Sequence, residues 1–166
     1  MKPNPLLVLA LVASMAGGTL RAQAPQREFT PRDGFSGRSE GDGTLRLFLG
    51  RPRPFHVESY GYDLPDGNSR LDQTVTLQGK EPRDRHWVLT TVGPRRYAGT
   101  LSDAAGPVTG RTDGDRLTLR YRVQGPFVMH QTLRRNPDGR TIDNVGTITV
   151  LGVPVGRLQE TITRKK

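Results

Sequence analysis

Few side chains in this sequence can hold a proton, a metal or a covalent intermediate. There is no cysteine. That removes thiolate nucleophiles, disulfides and cysteine-rich zinc sites together. Three histidines occur, His56, His86 and His130. None has a second histidine or a carboxylate at the i, i+4 spacing that sets two metal ligands on one helix face, so no metal site is expected. Ser36 lies in Gly34-Phe35-Ser36-Gly37, which lacks the Gly-x-Ser-x-Gly spacing of a strained nucleophile turn. Acid–base work needs two carboxyls in one cleft, but Asp63, Asp66, Asp113, Asp115 and Asp138 fall in turn sequences, where Asp bonds its own backbone. Glu160 shares a strand face with Leu158 and Ile162. It either points into an interior, where an arginine can meet it, or sits at a wet rim. No Gly-x-x-x-x-Gly-Lys loop exists to cradle phosphate. No catalytic set and no cofactor are expected.

What these residues support is binding. Trp87, Leu89, Tyr97, Leu117, Leu119, Tyr121, Phe127, Met129, Ile148 and Leu158 are candidates to line an apolar interior. Arg85 and Arg120 are candidates to meet an acyl carboxylate through charge-assisted bonds. Asp103, His130 and Asn144 form a candidate polar site. The competing reading is a dry core filled by the same side chains. The formal net charge is +9. Its arginines alternate with Thr rather than with aromatics, so a nucleic-acid partner is not expected. An anionic membrane surface remains a candidate partner.

Elements must hold these groups in place, and the pattern is that of strands. Leu117, Leu119, Tyr121 and Val123 alternate with Arg116, Thr118, Arg120 and Arg122. Leu45, Leu47 and Leu49 alternate in the same way, as do Ile148 and Val150. A period of two with one apolar face marks a half-buried strand. Gly- and Pro-containing turn signals, such as Pro65-Asp66-Gly67-Asn68 and Asn136-Pro137-Asp138-Gly139, recur along the chain. Nine or ten short strands result. A sheet of that size tends to close and remove its edges. The expected fold is all-β, an antiparallel up-and-down barrel over residues 42–166. Residues 25–41 read as an irregular lead-in anchored by Phe29 and Phe35.

Residues 1–24 differ in kind. Lys2 precedes an apolar run from Leu6 to Ala16, then Gly17-Gly18 and the small-x-small triplet Ala22-Gln23-Ala24. The run is too short for a membrane span and reads as a signal peptide cleaved after Ala24. A periplasmic or secreted location follows. With no cysteine, the protein is expected not to be lipid-anchored.

Several segments resemble one family. They are Phe35-Ser36-Gly37-Arg38 with Gly41 and Gly43; Arg85-His86-Trp87-Val88-Leu89; Gly93 with Tyr97-Ala98-Gly99-Thr100; Asp103-Ala104-Ala105-Gly106; and Asn144, Gly152 and Val155-Gly156. In order and spacing they resemble the bacterial domain of unknown function 3833 family over residues 35–164. The resemblance implies an exported, lipocalin-like barrel, and it draws attention to Asp103. It implies no activity. The chain also departs from the family pattern. His130-Gln131-Thr132-Leu133 stands where the family has Asp-Asp-Trp-Met, and Val145 and Arg157 replace an Arg and a Glu. The expected function is non-enzymatic binding of a lipid or other apolar small molecule. The alternatives are an enzyme acting on a lipid-like substrate in the barrel, and an envelope module using its basic surface. The oligomeric state is left open by the sequence.

Overall fold

The computed structural model of the chain describes residues 28–166. The expected cleavage after Ala24 lies outside them. One short helix, α1 (Pro31–Phe35), precedes ten strands: β1 (Gly37–Leu47), β2 (Arg53–Asp63), β3 (Ser69–Leu77), β4 (Arg83–Gly93), β5 (Arg96–Leu101), β6 (Val108–Asp113), β7 (Arg116–Arg122), β8 (Phe127–Arg135), β9 (Thr141–Val150) and β10 (Val153–Arg164). Each strand pairs antiparallel with its sequence neighbours, and β1 pairs with β10 to close the barrel. Closure satisfies the backbone donors and acceptors that an open sheet leaves at its edges. The expected all-β, up-and-down architecture is the one found.

The alternation read from the sequence assigns the two faces. On β7, Leu117, Leu119 and Tyr121 are buried while Arg116, Thr118, Arg120 and Arg122 are exposed. The same parity places Ser59, Gln73, Arg85, Gln131, Asn144 and Glu160 inside through the cross-strand registers.

The lead-in is shorter than its sequence suggests, because β1 begins at Gly37 and reaches well before residue 42. Its inward positions before Leu45 are Ser39, Gly41 and Gly43, so no apolar alternation announces this first part of the strand. The space is taken by partners. A Cβ on Gly41 would lie 2.0 Å from Glu160 Oε1, and one on Gly43 would lie 2.5 Å from Phe55 Cζ.

The two ends of the barrel differ. Thr30 caps α1, accepting the Asp33 backbone N–H at 3.2 Å, and Pro31 occupies the first turn. This segment plugs one end. Phe29 is fully buried and Phe35 nearly so, against Leu71, Leu89, Leu117, Leu133 and Ile142. The Phe29 backbone N–H donates to Gly114 O at 2.8 Å, and the Arg135 guanidinium lies 4.8 Å from the Phe29 ring centre. The opposite end carries the β1–β2, β3–β4, β5–β6, β7–β8 and β9–β10 turns and has no plug among the described residues.

Candidate functional site

Between the two ends the interior is polar. From one side, the Tyr121 hydroxyl donates to Gln131 Oε1 at 3.0 Å, and Gln131 Nε2 donates to Asn144 Oδ1 at 3.4 Å. Asn144 Nδ2 then donates to Glu160 Oε2 at 2.7 Å. The donors all run one way and end on a carboxyl. From the other side, Trp87 Nε1 and Arg85 Nε both donate to Gln73 Oε1, at 2.8 and 3.0 Å, and Gln73 Nε2 donates to Ser59 Oγ at 3.0 Å. The Trp87 and Tyr121 rings meet edge to face at 5.2 Å and join the two halves. Each buried polar group in this belt has a partner, as burial demands.

Burial sets the charge state here. It pushes the Glu160 carboxyl above its ordinary range, against the opposing effects of the Asn144 amide and the nearby Arg85 guanidinium. Burial also pushes the Tyr121 hydroxyl up to about 12, so Tyr121 is a donor at any physiological pH. Glu160 therefore holds its proton in the folded state at pH values where the unfolded chain has released it. Native protein then binds more protons than unfolded protein, and stability falls as pH rises through that window. The variant Glu160→Gln still accepts from Asn144 and carries no charge. It is expected to be more stable than wild type by about 1 kcal/mol or more at pH 8, with the gap closing toward pH 4. Urea unfolding at several pH values checks this; a gap that does not change with pH contradicts it.

Above the belt, toward the unplugged end, lies a cavity of about 220 Å³. Leu45, Phe55, Val75, Leu77, Val123, Met129, Ile148 and Leu158 give it apolar walls. Tyr121 and Arg85 stand at its floor and Asp103 at its rim. Two larger grooves, about 1010 and 790 Å³, cross the outer wall. They are lined mainly by polar and charged side chains open to water, with no apolar enclosure to hold a ligand. The interior cavity is therefore the candidate site.

The residues expected from sequence divide accordingly. Arg85, Tyr121, Met129, Ile148, Leu158 and Asp103 line the cavity. Trp87 lies in the belt, Leu119 is buried beside it, and Leu89 and Tyr97 face the plugged end beside α1. These four are packing groups and do not line the cavity. Arg120 and His130 are corrected outright. They face each other across β7 and β8 on the outer wall, because their neighbours Leu119, Tyr121, Met129 and Gln131 all point in. Asn144 is buried beneath the cavity floor and Asp103 is at the rim. The structure therefore does not bring Asp103, His130 and Asn144 together. The sequence does not single out Gln73 and Gln131; their one available signal is parity within their own strands, with Leu71 on β3 and with Met129 on β8. Among the described residues no group of three His, Asp or Glu side chains is placed to hold a metal.

A model of the family described as protein of unknown function (DUF3833) matches residues 8–164. None of the curated proteins matches the chain. Among solved structures, an S-type phycobiliprotein lyase, CPES from Guillardia theta, superposes with a TM-score of 0.64. The identity is 9%, and the match covers 79% of this chain and 88% of that one. At that identity the likeness is one of fold, a lipocalin-like barrel.

Proposed function

The chain belongs to the DUF3833 family, and we propose that its barrel binds a slender apolar molecule with an anionic head, a fatty acid being the simplest example. The observation that carries this reading is the cavity: apolar walls, one mouth, and a single guanidinium at its floor. Binding pockets are mostly apolar, with a few polar groups that fix orientation. At about 220 Å³ the space is below the roughly 300 Å³ where drug-sized pockets begin. It suits a single acyl chain or a small ring and excludes a bulky ligand. Arg85 has one nitrogen committed to Gln73 and further donors to offer a carboxylate. Glu160, which burial drives toward its neutral form, opposes an anion less than an ionised carboxylate would. We further read the protein as exported and cleaved after Ala24, on the leader pattern of its first residues.

Calorimetric titration with a saturated fatty acid tests the reading. One saturable site is expected. Val75→Trp fills the cavity from its wall and should abolish binding while the β-sheet circular dichroism is retained. Equal binding by wild type and Val75→Trp would place the ligand elsewhere.

A further inference from the structure

We propose that the unplugged end of the barrel docks on an anionic membrane surface through two neighbouring hairpin tips, Leu47-Phe48-Leu49 and Leu151-Gly152-Val153. This goes beyond ligand binding and does not depend on it. The tips are adjacent because Leu47 pairs with Gly156 across β1 and β10 and the Phe48 backbone N–H donates to the Val155 carbonyl. Their apolar side chains are not covered. Leu49 is 96% exposed, Leu151 94%, Phe48 62% and Val153 62%. A fully exposed leucine gains nothing for folding, and five large apolar residues at one apex form a patch rather than the scattered singles of an ordinary surface.

The backbone makes the choice of residue more telling. Phe48 and Leu151 both have φ of 50°, in the left-handed region where side chains with bulk are strained and Asn or Gly is favoured. Leu151-Gly152 is a two-residue hairpin turn with both φ positive, the geometry that selects Asn-Gly. Fold stability alone would put a small polar residue at each position. Strain kept at an exposed apolar tip points to a role outside the fold.

Charge selects the occupant. Arg46, Arg51 and Arg157 are exposed around the tips, and Arg53, at the start of β2, donates to the Gln78 carbonyl of the neighbouring β3–β4 turn at 2.7 Å. No Asp or Glu occurs between Thr44 and Pro54 or between Thr147 and Gln159; Glu81 and Asp103 stand on other hairpins of this end. Apolar side chains ringed by arginine match the acyl–headgroup boundary of an anionic bilayer. The side wall does not enter the membrane. Its outward residues, such as Arg116, Thr118, Arg120 and Arg122 on β7, are the reverse of the apolar band that a spanning barrel needs. The tips share an end with the cavity mouth, so docking would present that mouth to lipid.

Co-sedimentation of the folded protein with vesicles of phosphatidylcholine and phosphatidylglycerol tests this. Wild type should bind at low salt, weaken as salt rises, and bind pure phosphatidylcholine far less. Leu49→Ser with Leu151→Asn should reduce binding at least tenfold with an unchanged or higher thermal midpoint. Each of Arg46→Gln, Arg51→Gln and Arg157→Gln should cost about fivefold. Val75→Trp should bind vesicles as wild type does, which separates this docking from occupancy of the cavity. Unchanged vesicle binding by the tip variant overturns the proposal. So does a tip variant that only turns a wild-type dimer into a monomer, since the tips would then cover a second copy of the chain.

Discussion

Replacing Arg85 with methionine is expected to lower the affinity for a fatty acid about 100-fold while leaving the matching fatty alcohol nearly unaffected. Arg85 lies on the inward face of β4, in line with Trp87 and Leu89, and its side chain is fixed by the bond to Gln73 Oε1 and by a position 5.7 Å from the Trp87 ring. A hydrogen bond to a charged partner is worth about 1.5–3 kcal/mol, more where two nitrogens meet two carboxylate oxygens. Methionine keeps the length and the apolar contact of the stem but offers no donor. An alcohol does not need the charge, so its binding reports the apolar walls alone. The substitution has a second readout. Arg85 holds the Glu160 carboxyl down against burial, so Arg85→Met should raise that carboxyl further. The pH at which stability begins to level off should then move upward. Paired calorimetric titrations and the pH dependence of urea unfolding check both. Equal losses for acid and alcohol would show that Arg85 acts by holding the wall, not by meeting the head group.

Phe29→Ala is expected to destabilise the folded chain by about 3–5 kcal/mol. Phe29 is 0% exposed. Its ring fills the space beside Gly34, where a Cβ would lie 2.5 Å from Phe29 Cε2, and it lies under the Arg135 guanidinium. Truncation opens the plugged end and leaves Arg135 without its aromatic neighbour, though Asp33 Oδ2 remains 3.8 Å from Arg135 Nη2. In a domain of this size the loss should lower the thermal midpoint by roughly 10 °C or more. Ligand affinity at the other end should be close to wild type at temperatures where the variant is folded. Thermal unfolding and calorimetry on the same sample decide it. A shift of only a degree or two would mean that the segment before β1 is not a structural plug.

Much of the barrel is legible in the residues themselves. Two-residue alternation on β7 and the recurring Gly and Pro turns specify strands, faces and an up-and-down order, because a strand's side chains alternate whatever surrounds them. Parity already separates Arg85, which shares the face of Trp87, from Arg120, which lies on the face away from Tyr121. The first part of β1 is hidden for the opposite reason. Its inward positions before Leu45 are small so that Glu160 and Phe55 can occupy the space, and a stretch with glycine where its apolar face should be shows no alternation. Gln73 and Gln131 are hidden because a glutamine in a strand reads as solvent-facing until its cross-strand partners are known.

The strand class, the inward and outward faces and the absence of thiol chemistry are written in the residues. These depend on local stereochemistry and composition. The closed barrel sets which end is plugged, which inward residues fill the core and which leave a cavity, and the side-by-side placement of two exposed hairpin tips. Those outcomes depend on register and closure between strands far apart in the chain. Ser39 reaches Arg164 across the β1–β10 seam, and no local pattern carries that pairing. The residues that looked most reactive in the sequence, such as His130, lie on the wall. The polar belt and the Arg85 floor emerge only where closure turns single inward positions from many strands toward one space.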